Sequence, residues 1–188
     1  MLTVEQKENL RKELLQKRLS LLPEKVTTLS RDIEKKVMEL LYWKQAENVG
    51  LYSNVKNEVE TSLLFAKSLE EGKRVFFPRV EQGLGFYEVL GPEDLEKGAW
   101  GIMEPKHTCD PVLAEDGLGV VIVPALAFSE QGFRLGYGKG FYDRVLQNFK
   151  GVSIGITYDF MLLEDLPHEP HDRAVNYVVT EKRVIEIK

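Results

Sequence analysis

Val120-Val-Ile-Val123, set between Gly119 and Pro124 and followed after a short connection by Gly132-Phe-Arg-Leu-Gly-Tyr-Gly-Lys-Gly-Phe-Tyr-Asp-Arg144, is the stretch on which the reading of the fold turns. Apolar at every position, the first segment predicts a strand buried on both faces, as strands of parallel sheets are. The second leads into a helical segment ending near Phe149 and spends four glycines in nine residues. That concentration is costly in backbone entropy, so a function needing bare main chain is its natural explanation. Ligands of open α/β sheets sit beyond the carboxyl ends of strands, where a helix N-terminus favours an anion, and Arg134 and Lys139 add mobile positive charge. A turn packing a helix close to a strand would use glycine too. Two phosphate fingerprints fail: GxxxxGK[ST] meets Phe133 and Gly140 where Gly and Ser or Thr are required, and GxGxxG started at Gly136 meets Phe141. Neither a Walker nucleoside triphosphatase nor a Rossmann dehydrogenase is supported.

Outward from this stretch, strands alternate with helices. A helix is expected from Thr3 to Leu22, opened by a Thr3/Gln6 capping box and stopped by Pro23. A second is expected from Pro23 to Lys44, with Val26, Leu29, Ile33, Val37, Leu40 and Leu41 along one face. Val49 to Tyr52 reads as a buried strand, Thr61 to Glu71 as a helix closed by Gly72, and Arg74 to Phe77 as a strand ended by Pro78. Phe86 to Leu90 predicts an edge strand, and Val152 to Thr157, Tyr177 to Thr180 and Val184 to Ile187 predict further short strands. The stretch from Gly91 to Gly117 predicts a long loop or small flap. The expected fold is α/β, a three-layer sandwich with a mostly parallel sheet and helices on both faces, in a single domain over residues 1–188.

With 188 residues, 43% of them hydrophobic and 29% charged, the chain can bury a substantial core and is not disordered. Twenty-five basic against 30 acidic residues give a net charge of −5, which disfavours nucleic acid and anionic membranes as partners, so bound phosphate requires a local site. The lone Cys109 excludes an internal disulfide and suits a reducing compartment; with no apolar run long enough for a spanning helix and a highly charged N-terminal segment, the expectation is cytoplasmic.

Helical projection of the first helix sets Arg11 and Arg18 at roughly 40° and 20° from Lys7, inside the apolar stripe. Cations on a core-facing stripe must snorkel, pair with carboxylates or meet an anion; beside a glycine loop, phosphate is the better match. Asp143 and Asp172 supply hard oxygens suited to Mg²⁺ beside phosphates. His168 and His171 invite zinc, but Pro170 between them breaks the turn that would align them and no cysteine lies nearby. Glu58 follows a strand where a binding loop is expected, Glu60 and Thr61 look like helix-entry residues, and Trp100 sits where it could stack on a flat ring or simply pack.

These residues resemble the 5-formyltetrahydrofolate cyclo-ligase (methenyltetrahydrofolate synthetase) family, from Lys7 and Arg11 through Asn57-Glu-Val-Glu-Thr61, Trp100, Glu104-Pro105 and RLGYGKGFYD (134–143) to Pro167–Asp172 and Val178–Glu181. The resemblance implies a single three-layer α/β domain that uses ATP to convert 5-formyltetrahydrofolate into 5,10-methenyltetrahydrofolate, releasing ADP and phosphate. It implies small-molecule partners only, and a monomer or weak dimer. Carried over by position, Lys7, Arg11, Arg134, Leu135, Gly136, Tyr137, Gly138, Lys139, Gly140, Phe141 and Tyr142 hold ATP, with Arg134 and Lys139 as the catalytic charges. Asp143 and Asp172 hold Mg²⁺; Ser53, Glu58 and Trp100, with Tyr137, Lys139, Gly140 and Phe141, line the folate side, Glu58 taking the amino-pyrimidine edge. Ser129, Phe141 and Met161 depart from the family's Asp, Tyr and Gln, with loop anchoring or substrate contacts at stake. A non-catalytic ATP- or folate-binding regulatory protein is the alternative, and a sugar-phosphate isomerase on a related scaffold a second.

Overall fold

Helices α1 (Val4–Leu19) and α2 (Pro23–Glu39) open the chain in the computed structural model, which describes residues 4–98, 101–166, 168–169 and 172–188. A short α3 (Leu41–Gln45) leads to β1 (Asn48–Gly50), α4 (Ser62–Glu70), β2 (Arg74–Val80) and β3 (Leu84–Glu88). After β4 (Leu95–Lys97), β5 (Met103–Pro105), β6 (Pro111–Val112) and α5 (Ala114–Gly117) come β7 (Val120–Val123), β8 (Ala127–Ser129), β9 (Arg134–Leu135) and α6 (Phe141–Gln147). The chain finishes through β10 (Val152–Ile156), β11 (Leu162–Leu163), β12 (Tyr177–Val179) and β13 (Val184–Glu186).

Eight strands form one sheet in the order β13-β12-β10-β7-β1-β2-β3-β6, and every pairing from β12 to β2 is parallel. All four residues of β7 are fully buried, as its unbroken apolar run predicts. Alternate side chains divide between two cores. Val49, Val75, Val120, Ile122 and Ile154 pack with Ile33, Val37 and Leu64 of α2 and α4; Phe76, Val121, Val123 and Val178 pack with Leu146 of α6 on the other face. Helices therefore cover both faces, which is the expected three-layer α/β sandwich. From the adjacent strands β1 and β7 the chain winds outward in opposite directions, and at such a switch point the carboxyl ends of the two strands splay apart into a crevice.

Several boundaries differ from expectation. The first helix ends at Leu19, and Thr3 of its expected capping box lies outside the described residues. The second breaks at Leu40, whose extended backbone (φ −63°, ψ 135°) re-aims the chain so that Trp43 of α3 enters the core at 1% exposure. Pro78 does not end β2: the strand runs on to Val80, because β1 stops opposite Phe76 and leaves no strand on the side to which residue 78 would donate. Nor is β3 the edge, since the two-residue β6 pairs beyond it.

The entry to α4 carries a long-range cap. Thr61 occupies the N-cap position but donates its hydroxyl to the Tyr52 carbonyl (2.7 Å), and the Leu63 and Leu64 N–H groups donate instead to Glu34 of α2 at 2.9 and 3.1 Å. Burial pushes the Glu34 carboxyl up from 4.5 to about 7 against those two hydrogen bonds. A folded-state pKa above the unfolded value favours folding in acid, and that contribution fades as pH rises from about 4.5 through 7. Glu34→Gln keeps an acceptor for the cap and removes the titration. Denaturant unfolding at pH 5 and pH 8 is expected to show the wild type losing about 3 kcal/mol more than the variant over that range; parallel behaviour of the two proteins would refute the assignment.

Candidate functional site

The crevice at the carboxyl ends of β1 and β7 is a cavity of about 670 Å³. Tyr52, Ser53 and Glu58, from the segment after β1, line it together with Pro124 and Ala125 after β7. The loop from Arg134 to Asp143 forms another wall, α1 adds Lys7 and Arg11, and the 91–117 stretch, the expected flap, adds Ile102 with Met103 and Glu104 of the β4–β5 pair. Arg79 of β2 ties that flap to the sheet: its guanidinium donates to the Lys106 and Pro105 carbonyls (2.9 and 3.2 Å) and stacks 3.8 Å from the centroid of the Tyr87 ring.

The cationic stripe of α1 meets the glycine loop directly. Arg11 Nε donates to the Gly136 carbonyl at 2.9 Å, and its guanidinium lies 3.5 Å from where a Gly138 Cβ would stand. Gly138 (φ 86°) and Gly140 (φ 65°) occupy the left-handed region, so the turn that delivers Phe141 to the start of α6 requires residues without a Cβ penalty. Lys7 pairs with Glu169 at 2.8 Å. Arg18, grouped with these two by the helical projection, does not line the cavity. It is 2% exposed and spends its guanidinium on the Lys56 and Ala125 carbonyls (2.9 and 3.0 Å) and the Tyr137 hydroxyl.

Arg134 is not the mobile charge the sequence suggests. Its side chain, 5% exposed, is fixed by an ion pair with Asp143 and by the Arg173 carbonyl, so its direction is set in advance. Burial lowers its pKa despite the pull of Asp143 and Asp172, the behaviour of a cation whose own carboxylates do not fully replace water. The Tyr142 hydroxyl, buried at the cavity wall, finds no partner among the described residues, which is unusual for a buried phenol and suits a site completed by ligand. Asp143 and Asp172 both face the cavity, and Asp172 Oδ2 accepts the Glu169 N–H at 2.7 Å. Among the described residues no cluster of three or more His, Cys, Asp or Glu forms a metal cage. A pair of carboxylates suits Mg²⁺ that takes its remaining ligands from phosphate and water.

Glu58, 5% exposed, accepts the Val55 N–H (3.1 Å) and the Tyr137 hydroxyl (3.3 Å). Burial pushes its carboxyl above the usual range, while Arg18, 3.8 Å away, the Val55 N–H and Tyr137 draw it back. Burial and the Glu58 charge push the Tyr137 phenol up to about 12. Trp100 and His171 lie outside the described residues. His168 stacks on Phe133, ring centroids 3.6 Å apart. Of the departures, Ser129 anchors the glycine-loop approach through its Oγ and carbonyl, which accept the N–H groups of Phe133 and Gly132, and Met161 lies wholly in the core. Phe141 carries the Arg144 guanidinium 5.2 Å from its ring centroid.

Fold and site together define an α/β protein with a cleft at a topological switch point, bounded by a glycine loop and fixed guanidinium groups. The match of residues 3–181 to the family model for 5-formyltetrahydrofolate cyclo-ligase gives that class its name: the chain belongs to this family of ATP-dependent ligases. It is 33% identical to the 5-formyltetrahydrofolate cyclo-ligase of Escherichia coli K12 over 91% of this chain and 98% of that one. It is 32% identical to the probable 5-formyltetrahydrofolate cyclo-ligase of Schizosaccharomyces pombe, over 85% and 87% of the two chains. Its structure superposes on the 5,10-methenyltetrahydrofolate synthetase of Aquifex aeolicus with a TM-score of 0.87 and 38% identity, covering 97% of this chain and 93% of that one. For the corresponding synthetase of Mycoplasma pneumoniae the TM-score is 0.76 at 25% identity, over 93% and 98%.

Proposed function

We propose that the protein closes 5-formyltetrahydrofolate to 5,10-methenyltetrahydrofolate at the expense of ATP, in the cavity between α1, the glycine loop and the segment after β1. The observation that carries the reading is the convergence of Arg11 on Gly136, which brings fixed cations and bare backbone to one wall of a cavity whose other wall holds the buried Glu58. Ring closure by N10 on the formyl carbon must expel an oxygen that is a poor leaving group near neutral pH. Transfer of the ATP γ-phosphoryl group to that oxygen solves this: N10 attacks the activated carbon and gives up its proton to solvent, the carbon–oxygen bond breaks, and inorganic phosphate and ADP leave beside the methenyl product.

Such transfer rests on positioning and charge neutralisation and needs no protein nucleophile. Lys7, Arg11 and the backbone from Leu135 to Tyr142 hold the triphosphate, and Arg134 and Lys139 face the charge that develops on it. Asp143 and Asp172 would hold Mg²⁺, which supplies further neutralisation of the phosphate oxygens when bound. Ser53, Glu58, Trp100 and the Tyr137 to Phe141 edge take the folate, with the Glu58 carboxylate accepting hydrogen bonds from the amino-pyrimidine. The test is direct. Mixing protein, Mg-ATP and 5-formyltetrahydrofolate is expected to raise the absorbance of methenyltetrahydrofolate with one ADP per product; binding of both ligands without turnover would favour the regulatory alternative.

A further inference from the structure

Lys56 and Asn57, which immediately precede Glu58, both have positive φ (50° and 58°), a conformation that costs non-glycine residues of order 1 kcal/mol or more each. Hydrogen bonds from other elements hold them there. Arg18 Nε donates to the Lys56 carbonyl (2.9 Å), the Tyr158 hydroxyl to the Asn57 carbonyl (3.1 Å), and the Asn57 amide to the Leu21 carbonyl (3.1 Å). The same Arg18 guanidinium donates to Ala125 after β7 and to the Tyr137 hydroxyl, and that hydroxyl donates onward to Glu58 Oε1. One buried side chain thus touches the helix that carries Lys7 and Arg11, the loop that aims Glu58, the end of the central strand and the glycine loop. A purely structural tie would not need a cation 3.8 Å from a buried carboxylate in the ligand cavity.

We infer that Arg18 is a positioning residue for folate: through the Arg18 to Tyr137 to Glu58 chain it holds the Glu58 carboxylate aimed into the cavity. The inference rests on the proposed role of Glu58 and adds to it the group that fixes its position and, as the nearest cation, opposes the effect of burial on its carboxyl. Donation by Arg18 polarises the Tyr137 hydroxyl toward Glu58, which strengthens the second hydrogen bond. The other groups facing Glu58 are Lys56 from its own loop, whose charge also favours ionisation, and the phenols Tyr52, Tyr142 and Tyr158. Neutral phenols cannot replace a lost cation, so the state of Glu58 depends on Arg18 more than on any other side chain around it.

The experiment measures kcat/KM for 5-formyltetrahydrofolate and for ATP from pH 5 to 8 in Arg18→Met, Arg18→Lys, Tyr137→Phe and Glu58→Gln, with circular dichroism to score folding. Arg18→Met is expected to raise the folate KM about tenfold or more, with a smaller change for ATP, and to move the acid limb of the folate profile to higher pH. Tyr137→Phe should move it the same way by less, and Arg18→Lys should restore the limb without restoring full affinity, because an ammonium cannot reproduce the guanidinium fork. If Arg18→Met does not fold, Tyr137→Phe and Arg18→Lys carry the test. Impaired Glu58→Gln beside Arg18 and Tyr137 variants with wild-type folate KM and pH profile would overturn this inference alone. Unimpaired Glu58→Gln would overturn the reading of Glu58 itself.

Discussion

Replacing Arg134 by alanine is expected to lower kcat/KM for Mg-ATP by about a thousandfold or more while the protein stays folded, the range in which a fixed cation on a transferring phosphoryl group acts. Two effects add. The substitution removes a guanidinium whose direction Asp143 and Arg173 fix in advance, so no ordering cost falls on the ligand. It also strips the Asp143 carboxylate, proposed to hold Mg²⁺, of its guanidinium partner, so negative charge at the site is less well neutralised. Because the Asp143 side chain is 27% exposed, water can solvate it and the fold survives. Arg134→Lys keeps the charge, cannot grip Asp143 and phosphate with one planar fork, and is expected to fall between wild type and alanine. Initial-rate measurements at varied ATP, with thermal unfolding as the folding control, decide the matter; near-normal turnover by Arg134→Ala would remove the phosphate assignment.

What the sequence discloses about this site is whatever has short range. The 3.6-residue period of α1 suffices to place Lys7, Arg11 and Arg18 on the face that packs inward, and in the structure that face holds half-buried Lys7, Leu10, Arg11 and Leu15 with buried Leu14 and Arg18. Four clean apolar residues likewise suffice for β7, and glycine density for the loop. The partners of those residues are another matter. Arg18 meets Lys56, Ala125 and Tyr137, 38, 107 and 119 positions away, so nothing local separates it from its neighbours Lys7 and Arg11, which line the cavity. Arg134 looks mobile in a string of glycines and is pinned because α6 folds back to deliver Asp143 and the chain before β12 brings the Arg173 carbonyl. The cap of α4 comes from Glu34, three helical turns into another helix, while the local candidate Thr61 is diverted to Tyr52. Pro78 reads as a strand end until it is known that β1 stops short of it. In each case a tertiary partner, not the residue's own preference, decides.

Gly136 separates ligand from scaffold more sharply than any charged residue can. Its φ is not in the left-handed region, and a Cβ built on it meets no heavy atom within 4 Å, yet it lines the cavity and its carbonyl takes the Arg11 bond. Alanine is therefore free of strain there, and the lower chain entropy of the unfolded state stabilises Gly136→Ala by about 0.4 to 1 kcal/mol. Gly138 and Gly140 cannot be used this way, since their positive φ would mix backbone strain into any lost activity. If phosphate oxygens lie within hydrogen-bond reach of this main chain, the added methyl occupies space they need, and the ATP KM rises about tenfold or more with Tm unchanged or slightly higher. Gly83, on the turn between β2 and β3, is equally unobstructed and does not line the cavity, so Gly83→Ala serves as the matched control and keeps the wild-type ATP KM. A Gly136→Ala protein with wild-type ATP kinetics would mean that the triphosphate does not approach this backbone, and the cleft would then have to be read with ATP on its opposite wall.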